Sequence, residues 1–78
     1  MKAFVCFNGY AAFHDWCLLV LAENKNKARH MVKSEFGDYA YTYARRVSKY
    51  DGLSETPCVF WSNDELPEGT EPFYDLED

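Results

Sequence analysis

The chain has 78 residues, with 8 Lys+Arg against 13 Asp+Glu and a net charge of −5. That length holds one small domain and no second one. A hydrophobic content of 47% excludes a disordered chain, and 18% aromatics are more rings than a small core can hide, so some belong at a surface that meets a partner.

In chain order, Lys2 to Phe7 reads as a strand. Ala3 to Phe7 is apolar on both parities, which predicts a strand covered on both faces. Asn8-Gly9 is a turn signal, because type I′ hairpin turns need positive φ at both central residues. It opens either a tight hairpin or a longer loop over residues 8–15. Trp16 to Ala22 is a second two-faced strand, with Trp16, Leu18 and Val20 on one face and Cys17, Leu19 and Leu21 on the other. Asn24 is placed to cap a helix that runs to about Phe36 and stops at Gly37. Ala28, Met31, Val32 and Phe36 make one apolar stripe on it, and Lys25, Arg29 and Lys33 make a cationic row. Such a helix lies on a sheet and not within it. Tyr39 to Tyr50 alternates and is rich in strand formers, and Asp51-Gly52 ends it with a turn. Pro57 introduces a short fourth strand, Cys58 to Trp61, expected at a sheet edge.

The expected fold is α+β: a small antiparallel or mixed sheet of three to four strands with one helix packed on one face, in the order ββαββ. Strand–helix–strand favours a right-handed parallel crossover, and the first strand fits best between the second and third. One helix covers one face only. The other face needs the aromatic C-terminal segment or a second copy of the chain, which keeps a homodimer open. Residues 1–63 are the expected core domain, and 64–78 an acidic segment partly docked on it. The charge divides in the same place: residues 64–78 carry −7 and the first 63 carry +2.

Several function classes find little support. No apolar run approaches the roughly 18 residues of a membrane helix. Ala3–Phe7 is too short for a signal-peptide core, so a cytoplasmic protein without a membrane partner is expected. Three cysteines without framework spacing agree with that compartment. Cys6, His14, Cys17, His30 and Cys58 include no CxxC pair, and buried thiols with surface imidazoles account for them better than zinc. His14 and Cys17 would fall on opposite faces of a strand, which does not suit a thiol nucleophile and its base. The four glycines are too dispersed for a phosphate loop. No catalytic residue, cofactor or metal is therefore expected.

Two charged sets remain. Seven of the eight cations lie between Lys25 and Lys49, interleaved with tyrosines. Lys25, Arg29, Lys33, Tyr43, Arg45 and Arg46 are candidates for a basic surface, since Arg and Tyr suit phosphate contact and base stacking. The net negative charge opposes nonspecific nucleic-acid binding, which makes that partner secondary. Asp64, Glu65, Glu68, Glu71, Tyr74 and Asp75 are candidates for an acidic surface that mimics a phosphate backbone toward a basic groove.

The stretch Leu18-Leu19-Val20-Leu21-Ala22-Glu23-Asn24-Lys25-Asn26-Lys27-Ala28, followed by the aromatic strand at Tyr41–Val47, resembles small phage and prophage proteins. Their layout is a strand, an A-E-x-x-x-x-A helix start and a returning strand, and some anti-CRISPR inhibitors are similar. The resemblance covers about residues 17–50 and transfers no functional residue. It implies a class of compact proteins that bind a host protein or nucleoprotein complex and block it sterically. The expected function is that of a non-catalytic interaction protein, an inhibitor of a host nucleic-acid-handling complex. The alternative is a nucleic-acid-binding module using the helix and third strand.

Overall fold

The computed structural model describes residues 1–8, 17–36 and 42–73. Four strands form one sheet: β1 (Lys2–Asn8), β2 (Cys17–Ala22), β3 (Thr42–Arg46) and β4 (Cys58–Phe60), in the spatial order β3-β1-β2-β4. Every neighbouring pair is antiparallel. One helix, α1 (Lys25–Phe36), joins β2 to β3. The protein is thus a small α+β domain. β2 and β3 run the same way with β1 between them, so the crossover through α1 spans a strand that was already laid down. The residues between Asn8 and Cys17, where the hairpin or loop was expected, and the Gly37 stop lie outside the described residues.

The alternation of β1 and β2 divides the core into two clusters, one on each face. On the first face Phe4, Cys6, Leu18, Val20 and Ala22 meet Ala44 of β3 and Ala28 and Val32 of α1. On the second, Ala3, Val5, Cys17, Leu19 and Leu21 meet Tyr50, Leu66 and Phe73. The second face is therefore covered by this chain's own residues from 50 to 73. Its cover does not require another copy. The aromatic residue that matters here is Phe73, with no exposed surface; Tyr74 and Leu76 lie outside the described residues.

Two local expectations need correction. The third strand is not twelve residues long: pairing stops at Arg46, and Ser48–Tyr50 turn into a short 3-10 helix. The turn swings the Tyr50 ring under the second face, where its hydroxyl donates to the Glu71 or Pro72 carbonyl oxygen at 2.9 and 3.1 Å. Alternation alone cannot see this, because a buried tyrosine that turns inward has the same sequence pattern as one that stays in a strand. The fourth strand ends at Phe60, one residue early, because Trp61 and Ser62 enter a second 3-10 turn at Asn63–Glu65.

The ends of the elements follow from their caps. The Asn24 side chain accepts the Lys27 backbone N–H at 2.9 Å, filling one of the open donors of the first turn of α1. Ser62 and Glu65 form a reciprocal capping box in which the Glu65 carboxylate accepts the Trp61 and Ser62 backbone N–H groups. Gly52 sits at φ 82°, the left-handed conformation that the Asp51-Gly52 turn requires. The edge between β1 and the turn is closed by Asp51, which accepts the Ala3 backbone N–H at 2.9 Å and both Arg46 guanidinium nitrogens at 2.6 Å.

Candidate functional site: two charged faces

The sheet separates the two charged sets. The acidic segment approaches the core through Leu66 and Phe73, on the second face. The helix packs through Ala28 and Val32, on the first. The cations of α1 and the acids of 64–71 therefore stand on opposite sides of the molecule and cannot neutralise each other.

Within the acidic set the roles differ. Glu65 is held by its capping box. Glu71 pairs with Lys49 at 3.0 Å, and its carbonyl accepts from Tyr50. Asp64 and Glu68 are exposed. All four are exposed; two of them, Glu65 and Glu71, also hold the segment through the capping box and the pair with Lys49. Tyr74 and Asp75 lie outside the described residues.

The basic set is not one patch. Tyr43 lies opposite Phe7 in the register and Arg45 opposite Val5, which puts both on the second face, away from α1. Tyr43 is half exposed, yet its ring stacks on Phe7 with centroids 5.9 Å apart. Arg46 points to the other side, with its guanidinium 5.5 Å from the Phe4 ring, and is committed to Asp51. The joint Arg/Tyr stacking platform suggested by the sequence is therefore split across the sheet. A single strand cannot present adjacent residues to one partner, since its side chains alternate.

What remains is a row on α1. Lys25 is exposed, and Arg29 and Lys33 are half-buried. The ion pairs among the described residues are Glu23–Lys27, Arg46–Asp51 and Lys49–Glu71, so none of the three row cations has a carboxylate partner there. Arg29 and Lys33 line a hollow of about 210 Å³ together with Asn26 and His30. A larger hollow of about 550 Å³ opens beside it, between the first half of α1, the end of β2 and the residue before β4. Ala22, Met31 and Pro57 supply its apolar walls, and Asn26 and His30 belong to both hollows. Sequence reasoning missed Asn26 and His30, treating the histidine as an isolated surface imidazole. Their spacing from Arg29 and Lys33 on a 3.6-residue helix was the available signal.

The thiols are placed for packing. Cys6 and Cys17 are buried and Cys58 is partly exposed. Burial pushes the Cys6 thiol up to about 12, with Cys17 nearby adding to the rise and Arg29 opposing it. A thiol so raised is protonated at neutral pH and a poor nucleophile. Among the described residues no three His, Cys, Asp or Glu side chains converge as metal ligands, and no helix is long and apolar enough to cross a membrane. His14 lies outside those residues.

No family model, curated protein or solved structure matches the chain.

Proposed function

We propose that this protein is a small non-catalytic interaction module that occludes part of a host nucleic-acid-handling complex. The observation that supports this reading is the separation of charge across the sheet. The α1 row and the acids Asp64 and Glu68 lie on opposite sides of the molecule. Helix cations with no carboxylate partner among the described residues steer encounter with an acidic surface, and exposed acids on the far side do the same for a basic one. The resemblance of residues 17–50 to the layout of small phage and prophage proteins, including some anti-CRISPR inhibitors, is the second support for this reading. A protein of 9.1 kDa that engages a larger complex through such a face acts by covering it.

The experiment is affinity capture from host lysate, with and without nuclease, using variants that spare the structural charges. K25E/K33E reverses part of the helix row. D64N/E68Q neutralises exposed acids while leaving the Glu65 cap and the Glu71–Lys49 pair in place. The expected result is a defined protein partner that survives nuclease and is lost from one of the two variants. Retention by both variants overturns the reading. Loss of the partner on nuclease treatment replaces it with the alternative, a nucleic-acid-binding module, working through α1 because Tyr43 and Arg45 face away from it.

A further inference from the structure

The two hollows on α1 have complementary chemistry. The smaller, about 210 Å³, lies below the roughly 300 Å³ at which pockets for drug-sized ligands begin, so it suits a compact group. Arg29, Lys33, His30 and Asn26 line it, which brings two cations, an imidazole and an amide together with no carboxylate. Arg29 also carries a buried Nε without a hydrogen-bond acceptor, the one such side-chain nitrogen or oxygen among the described residues. That nitrogen is shielded from solvent, so an anion in the hollow meets the guanidinium through its remaining N–H groups. A carboxylate offers two oxygens, which one Arg fork satisfies. Four donor-bearing side chains around one hollow suit a phosphate, which offers three.

The larger hollow, about 550 Å³, falls within the range of small-molecule pockets. Its walls at Ala22, Met31 and Pro57 are apolar, and Glu23 and Lys27, which also line it, pair with each other at 2.7 Å. It adjoins the smaller hollow through Asn26 and His30. We propose that this surface of α1 binds a phosphate ester of nucleotide size. The phosphate sits at Arg29 and Lys33, and the organic body lies against Met31, Ala22 and Pro57. The same chemistry is offered by a free nucleotide and by the phosphorylated end of a nucleic-acid strand.

The test is NMR titration of the full chain with inorganic phosphate, adenosine, adenosine monophosphate and a short 5′-phosphorylated oligonucleotide. The monophosphate is expected to shift Asn26, Met31 and Lys33 and to bind about tenfold more tightly than inorganic phosphate, with adenosine weaker still. K33Q should weaken both phosphate probes by about tenfold, whereas K25Q, outside the hollow, should leave them unchanged. R29K checks the Arg geometry with the charge kept, and M31A should weaken the monophosphate alone. Tighter binding of the oligonucleotide than the monophosphate identifies a strand end as the source, and the reverse order a free nucleotide. Equal losses in K25Q and K33Q reduce the site to a diffuse field and overturn the proposal. So does a monophosphate that binds no better than inorganic phosphate, or no binding at all. No protein partner enters this titration, so its failure leaves the capture result standing, and the converse also holds.

Discussion

Asp51 shows how one exposed side chain can organise several elements. It ties the Ala3 backbone, the end of β3 through Arg46 and the turn at Gly52. Its hydrogen bonds to Arg46 and to the Ala3 N–H lower its pKa from the ordinary 3.8 to about 2. The sign of the pH effect follows. Between those values the unfolded carboxyl binds protons and the folded one does not, so stability falls as pH drops through the window. The contribution is fully present above about pH 4 and gone below about 2. D51N should therefore melt at a lower temperature than the parent at pH 6, and the gap should close as pH is lowered to 2. A gap that does not change with pH would show that Asp51 acts only through its neutral hydrogen bonds.

At the level of elements, α1 depends on its cap more than on its own composition. Its first turn has no acidic residue to complement the helix dipole, and Lys25 and Lys27 oppose it there. Asn24 supplies the missing acceptor. N24A is expected to cost about 1 kcal/mol in urea denaturation, and N24S to recover most of it. The cap and the apolar pair Ala28 and Val32 were legible in the sequence, because both are local signals. The turn at Ser48–Tyr50 was not. Its stabilising contacts come from Glu71 and Pro72, more than twenty residues away, and no local pattern reports them.

For the molecule as a whole, the segment after β4 is the second layer of the fold. Phe73 is fully buried among Ala3, Val5, Leu19 and Leu21. F73A should cost about 3–5 kcal/mol, most of what a domain of this size commonly has. Truncation after Asn63 removes Leu66 as well and should expose the second face, read as dye binding with loss of a cooperative thermal transition. D64N/E68Q, by contrast, should stay within about 0.5 kcal/mol of the parent, since both side chains face solvent. The acidic segment thus combines a buried apolar edge with an exposed charged one, and the two can be tested apart.

The sequence by itself determined the α+β class, the capped helix, the two-faced β1 and β2, the edge position of the last short strand and the concentration of acid after residue 63. These follow from period, caps and composition, which neighbouring residues carry. Only the tertiary structure decided which side each charge occupies. Tyr43 and Arg45 left the helix face because β3 alternates against β1 in one particular register. Asn26 and His30 gained a place beside the apolar walls of Ala22 and Pro57 because α1 lies against the end of β2 and the residue before β4. The net charge of −5 hides a molecule whose cationic helix and acidic cover are held apart by four strands. That separation keeps the opposite charges from cancelling within the chain.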